Sequence, residues 1–140
     1  MTAMLVDSNV LLDVMTEDPR WLSWSAQAIE QAADSYRLVI NPVIYAEVSM
    51  RYSQIEELDA ALPKAMFDRE AIPYPAAFLA AKAFLAYRRR GGTKRSPLPD
   101  FFIGAHAAVA GYRLMTRDPA RYHTYFTGLT LIAPDRVVTG

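Results

Sequence analysis

Apolar residues fall into two kinds of run along this chain, short aliphatic stretches and longer segments with apolar positions three or four apart. Ala3-Met4-Leu5-Val6 and Arg37-Leu38-Val39-Ile40 are of the first kind and predict buried strands. Val10, Leu11 and Val14 predict a helix directly behind the first strand. A second helix is predicted from about Trp21 to Ala33, with Leu22, Ala26, Ile29 and Ala33 on one side and Asp18-Pro19 in the loop before it. Pro42 suits the first turn of a third helix, which carries Val43, Ala46, Glu47 and Met50. Ile55, Leu58, Ala61 and Leu62 form a short amphipathic piece that ends near Pro63. Pro73-Tyr74-Pro75 then breaks the chain before a long helix from Ala76 to Arg90, stopped by Gly91-Gly92. The loop from Gly91 to Pro97 is the one candidate flexible connector and is too short for a domain linker. Pro99 opens another helix to about Ala110, and Gly111 follows it. Arg113 to Thr116 and Leu129 to Ala133 read as two further strands. Strands separated by helices predict an α/β domain whose central parallel sheet is covered on both faces. With 140 residues and no internal repeat, residues 1–140 are expected to form a single domain.

Composition narrows the function classes. A hydrophobic fraction of 52% excludes a disordered chain. Basic and acidic residues balance at 15 each, so any nucleic-acid site must be a local patch. The absence of cysteine excludes a thiol nucleophile, a thiolate zinc site and a disulfide framework, and agrees with a reducing cytoplasm. Met1-Thr2-Ala3-Met4 has no basic n-region, and the apolar stretch after it is cut short at Asp7, so neither a signal peptide nor a membrane span is expected.

The polar residues then change the picture. Four acids stand where apolar segments stop or helices start: Asp7, Glu47, Asp100 and Asp118. In an open parallel sheet, ligands bind beyond the carboxyl ends of the strands, where strand order switches. Carboxylates gathered there repel one another unless a cation is present. That pattern points to hard divalent ions such as Mg²⁺ or Mn²⁺, which take oxygen ligands and activate water for phosphodiester cleavage. Each acid has a plain alternative. Asp7 can cap the helix through Leu11, Asp100 can be an ordinary first-turn acid after Pro99, and Asp118-Pro119 can be a cap-plus-proline start. Glu47 is the hardest to dismiss, because its helix otherwise reads as buried and an unpaired buried carboxylate is costly. Ser8, Asn9 and Thr116 neighbour these acids and can hold metal-bound water or orient carboxylates, with capping and turn formation as the alternative. Asp13 reads as a solvated helix residue.

Arg88-Arg89-Arg90-Gly91-Gly92-Thr93-Lys94-Arg95 places five cations shortly before Asp100. Arg88 to Arg90 suit a helix end, where cations complement the dipole. Lys94 and Arg95 are the better candidates for contacting substrate phosphate. No dinucleotide-binding glycine pattern, P-loop, nucleophile elbow or zinc-protease motif occurs. His106 reads as a packed histidine and His123 as part of a polar turn, and the aromatic residues around Tyr122 read as packing for the last strand.

At the level of whole segments the chain resembles the PIN-domain ribonucleases, and within them the toxins of VapBC-type toxin–antitoxin pairs. The segments that carry the resemblance are Leu5-Val6-Asp7-Ser8-Asn9-Val10-Leu11-Leu12, Asn41-Pro42-Val43-Ile44-Tyr45-Ala46-Glu47, Leu98-Pro99-Asp100-Phe101-Phe102-Ile103-Gly104-Ala105-His106-Ala107 and Leu114-Met115-Thr116-Arg117-Asp118-Pro119-Ala120-Arg121-Tyr122. Together they span nearly the whole chain. The resemblance implies a three-layer fold with a mostly parallel sheet of about four short strands. It implies metal ligation by Asp7, Glu47, Asp100 and Asp118, supported by Thr116 and Asn9. It further implies Mg²⁺- or Mn²⁺-dependent endonuclease cleavage of RNA, homodimerisation, and inhibition by a cognate antitoxin that covers the site. Pro119-Ala120 stand where some relatives carry a further acid, and Gly104 stands where an alanine is often found, a small-for-small exchange expected to be harmless.

Two other classes fit the residues alone. One is a Mg²⁺-dependent phospho-acceptor or phosphatase domain. Against it, Asp7-Ser8-Asn9 lacks a second acid two residues on, and no lysine stands near the end of the last strand. The other is a catalytically silent module that keeps the fold for partner contact.

Overall fold

The computed structural model describes residues 2–95 and 98–134. Strand β1 (Ala3–Val6) leads into helix α1 (Ser8–Met15) and helix α2 (Leu22–Ala33), then β2 (Arg37–Ile40). Helices α3 (Pro42–Ser49) and α4 (Ile55–Ala61) precede β3 (Phe67–Arg69). Helices α5 (Tyr74–Arg89) and α6 (Pro99–Ala110), β4 (Arg113–Met115), α7 (Ala120–Tyr125) and β5 (Leu131–Ile132) complete the order. Among the described residues, no helix is long and apolar enough to cross a membrane.

The strands form one sheet in the order β3-β2-β1-β4-β5, and every adjacent pair is parallel. β1 is central and buried along its whole length, as its unbroken apolar run requires. From β1 the chain moves outward to β2 and β3, then returns to β4 on the opposite side of β1. The direction of travel across the sheet therefore reverses. Helices α1 to α4 lie in the crossovers that run outward to β3 and α5 to α7 in those that return through β4 to β5, and the right-handed rule for parallel crossovers assigns the two groups to opposite faces. The second layer is held by an aromatic cluster in which Phe101 meets Phe84, Tyr87 and Tyr125 edge-on.

The expected α/β architecture is present, with five strands rather than about four. The extra one is β3, an edge strand of three residues in which Phe67 alone is buried. Its Asp68 and Arg69 keep the edge charged, which discourages pairing with other chains and also removes the apolar signal. A strand this short is defined by pairing with β2, not by its own pattern. Helix α7 is likewise new. It has six residues, His123 lies within it rather than in a turn, and Tyr122 is its buried member. The predicted long helices hold to within a residue or two. Gly111 takes the left-handed conformation that ends α6, and Gly91 does the same just after α5. Of the predicted connector loop, Ser96 and Pro97 lie outside the described residues.

Asp13 is a correction. It is 2% exposed, not solvated, and its carboxylate takes two bonds from the Arg117 guanidinium, at 2.8 and 3.1 Å, and one from the Ser25 hydroxyl at 2.8 Å. Arg117 comes from the loop after β4, so this cluster ties the end of that strand to α1 and α2. Every buried side-chain polar atom among the described residues has a hydrogen-bond partner.

Candidate metal and nucleic-acid site

The reversal of chain direction opens a crevice beyond the carboxyl ends of β1 and β4, where a doubly wound sheet collects its ligands. Asp7 follows the last residue of β1, and its N–H extends the sheet by donating to the Met115 carbonyl of β4 at 2.9 Å. Its carboxylate caps α1 through the Ser8 N–H at 2.8 Å. The same group accepts bonds from the Thr116 and Tyr122 hydroxyls, each at 2.9 Å. The capping and site readings of Asp7 are therefore compatible: one oxygen caps, and the other is held by side chains from the far end of the chain.

Glu47 lies one and a half turns into α3. The start of that helix is fixed by Asn41, whose side chain accepts from the Ile44 N–H at 2.9 Å. Asn41 also contacts buried His106 at 3.0 Å, which anchors the start of α3 to α6. Glu47 then reaches back over the sheet and accepts the Ser8 hydroxyl at 2.7 Å. Asp100 is the second residue of α6, where the helix dipole favours its charge, and it pairs with Arg121 at 3.1 Å.

These three acids share one electrostatic neighbourhood. Burial pushes the Asp7 carboxyl up to about 6, opposed by the Thr116 and Tyr122 hydrogen bonds and reinforced by the charge of Asp100. Burial also raises Glu47, with the Ser8 hydroxyl opposing and Asp100 again adding. The Tyr122 phenol is held well above its ordinary range, first by burial and then by Asp7 and Asp100, so it stays a neutral donor. Asp118 is placed differently. Its side chain is 73% exposed and 3.8 Å from the Arg117 guanidinium, while its N–H donates to the Thr116 hydroxyl at 3.1 Å. It occupies the rim, with its carboxylate turned to solvent. Asn9 bridges the two strand ends by donating to Thr116 at 3.3 Å and accepting the Arg117 N–H at 3.1 Å.

Among the described residues, no three acid or histidine side chains are drawn together tightly enough to hold an ion as they stand. Ser8 draws Glu47, Arg121 draws Asp100, and Thr116 with Tyr122 holds Asp7. The donor set nonetheless suits a hard cation. It is all oxygen, it is short of positive charge at Asp7 and Glu47, and proximity to Asp100 raises both.

The sequence assigns no role to Arg121 and reads Tyr122 only as packing for the last strand, yet both contact acids of this site. Both lie in a segment without an apolar period that would announce a helix, so the direction of their side chains is decided by α7. Lys94 and Arg95 are exposed in the loop after α5. The Lys94 backbone is pinned there by Arg88, which donates to its carbonyl at 2.6 Å.

Tyr122→Phe is expected to raise the Asp7 carboxyl further above its value of about 6, since a hydrogen bond to the ionised form is lost. A ¹³C carboxyl titration by NMR checks this, and an unchanged midpoint would mean that the phenol does not support the charge. Gly104 also bears on Tyr122. A Cβ there would lie 2.5 Å from the Phe126 ring and 3.0 Å from that of Tyr122, so alanine is not a harmless exchange in this chain. Gly104→Ala is expected to cost about 1–2 kcal/mol, because overpacking outweighs the gain in helix propensity. A thermal midpoint equal to or above wild type would show that α7 moves aside without penalty.

The family model described as the PIN domain matches residues 4–126. No curated protein matches the chain in sequence. Among solved structures, VapBC2 from Rickettsia felis, bound to a DNA fragment from its promoter, is similar with a TM-score of 0.72 at 14% identity, covering 94% of this chain and 98% of that one. VapBC-1 from nontypeable Haemophilus influenzae gives a TM-score of 0.70 at 18% identity, over 94% and 98% of the two chains. A toxin–antitoxin complex from Klebsiella pneumoniae gives 0.65 at 23% identity, over 93% and 96%. At these identities the likeness is one of fold.

Proposed function

The chain belongs to the PIN-domain family, and from that premise we propose that it is a metal-dependent endoribonuclease and the toxin of a toxin–antitoxin pair. One observation carries the nuclease part: Asp7 and Glu47 both feel the charge of Asp100 near the switch in strand order, where Asp7 is buried and held up to about 6. A Mg²⁺ ion, or Mn²⁺ in its place, would be held by these three acids, with Asp118 as the fourth candidate from the rim. When bound, such an ion lowers the pKa of its water and offsets charge on the phosphodiester as water attacks.

The chain's own residues do the positioning. Ser8 fixes Glu47, Thr116 and Tyr122 fix Asp7, and Asn9 keeps the ends of β1 and β4 in register. Lys94 and Arg95 are cations available to RNA phosphates from the loop that leads towards Asp100.

The toxin part is supported by the similar structures, of which the Klebsiella pneumoniae one is described as a toxin–antitoxin complex and the other two as VapBC proteins, the kind the sequence resembles. An antitoxin partner also suits an open apolar groove of about 450 Å³ lined in part by Leu11, Val14, Met15, Ile29 and Met66. A homodimer belongs to the same proposal, since Tyr74, Phe78 and Leu85 leave apolar surface along α5. A cytoplasmic location fits a chain without cysteine.

The deciding experiment incubates purified protein with total cellular RNA in Mn²⁺, Mg²⁺ or EDTA. Discrete fragments that require the metal are expected. A folded protein that binds Mn²⁺ and cuts no RNA overturns the nuclease proposal, and covalent labelling by a small phosphodonor would redirect it to phosphoryl transfer.

A further inference from the structure

Helix α7 is only six residues long, yet it delivers consecutive side chains to two different acids. Tyr122 reaches Asp7 and Arg121 reaches Asp100. The two contacts differ in kind. Tyr122 is buried, and its single O–H is committed to Asp7. The Arg121 side chain is 38% exposed and gives one nitrogen to Asp100 at 3.1 Å. Its guanidinium lies against the rings of Tyr87 and Phe101, 5.8 Å from each centroid. A guanidinium offers five N–H donors in a planar fork, so Arg121 retains donors for a second anion beside the acid it already pairs with.

The surroundings extend this arrangement. Arg90 lies over the Tyr125 ring at 5.6 Å, and Tyr125 meets Tyr87 at 6.4 Å. Two cation–ring pairs thus adjoin each other on the Asp100 side of the crevice. Lys94 and Arg95, by contrast, carry exposed side chains on a loop, and fixing them on a phosphate costs rotamer entropy that the stacked Arg121 has already lost.

Building on the nuclease proposal above, we propose that Arg121 binds a substrate phosphate beside Asp100. The exposed Arg121–Asp100 pair itself contributes little to folding, so its loss should be felt in binding.

The test uses the whole 140-residue chain as wild type, Arg121→Ala and Arg121→Lys, each shown to be folded by thermal melting. Cleavage of total cellular RNA by wild type in Mn²⁺ reports on the nuclease proposal alone. Anisotropy of a fluorescein-labelled oligouridylate in Ca²⁺, over a salt series, reports on Arg121. Arg121→Ala is expected to weaken binding roughly fivefold to tenfold at low salt and to lower the slope of log affinity against log salt by about 0.7, the share of one phosphate on a single strand. Arg121→Lys should restore the slope but not the full affinity, because the fork is gone. Equal affinity and slope in wild type and Arg121→Ala overturn the assignment of Arg121 and leave the nuclease proposal standing. Wild type that binds oligouridylate through Arg121 yet cuts no RNA overturns the nuclease proposal instead.

Discussion

Asp7→Asn is expected to lower metal-dependent RNA cleavage by at least about two orders of magnitude while making the metal-free protein relatively more stable as pH rises. The two effects share a cause. Asp7 is 3% exposed and its carboxyl is pushed up to about 6 from an ordinary 3.8, chiefly by burial. A group raised in the folded state binds more protons there than in the unfolded chain between those two values. Its contribution to stability is therefore fully present below about pH 4 and is lost as pH rises through 6. The shift corresponds to about 3 kcal/mol, the free energy that a bound cation would offset. Asparagine cannot ionise, so the stability of Asp7→Asn relative to wild type should climb by up to about 3 kcal/mol between pH 4 and 7 in EDTA. Any constant penalty from turning an amide N–H towards Thr116 or Tyr122 is present at every pH and does not alter that climb. Urea titrations across the pH range measure it directly. A pH-independent difference would show that Asp7 carries no burial penalty, and unimpaired cleavage would remove Asp7 from the site.

The second large effect is expected on stability, from the buried cluster next to the proposed site. Asp13→Ala should destabilise the fold by about 2–4 kcal/mol, since it leaves the Arg117 guanidinium and the buried Ser25 hydroxyl without their shared acceptor. The lower end applies because Arg117 remains 24% exposed and stacks on the Trp21 ring at 5.5 Å, which spares part of its charge from full desolvation. For a chain of this size the melting temperature should fall by roughly 10 °C. The loss should also reach the site, because the Arg117 N–H holds Asn9, and Asn9 donates to Thr116. Replacing Asp13 and Arg117 together with Leu and Met should recover much of the stability, as paired removal strands no charge. A single Asp13→Ala change that melts within 2 °C of wild type would show that this buried pair contributes almost nothing.

Local chemistry reached the sequence directly in most of the fold. The run Ala3-Met4-Leu5-Val6 has nowhere to go but the middle of a sheet, and Pro42, Pro99 and Gly111 punctuate helices through backbone geometry that needs no partner. The positions of Asp7 after β1 and of Asp100 in the first turn of α6 are legible for the same reason, while Glu47 falls well inside α3. What these acids do to one another is a different matter. The raised Asp7 carboxyl comes from burial, and burial is a property of the packed sheet and of α7 closing over it.

Short-range pattern sufficed for the α/β class, the long helices and four of the five strands, because each follows from interactions within about a turn or a strand of the residue concerned. The rest depends on contacts across the fold. β3 exists because β2 pairs with it, and Asp13 is buried because Arg117, 104 positions later, brings it a countercharge. Arg121 and Tyr122 face the crevice because a six-residue helix packs beneath α6, where Gly104 leaves room for the Tyr122 and Phe126 rings. Pairing, desolvation and close packing are energies between residues distant in the chain, and no local pattern records them.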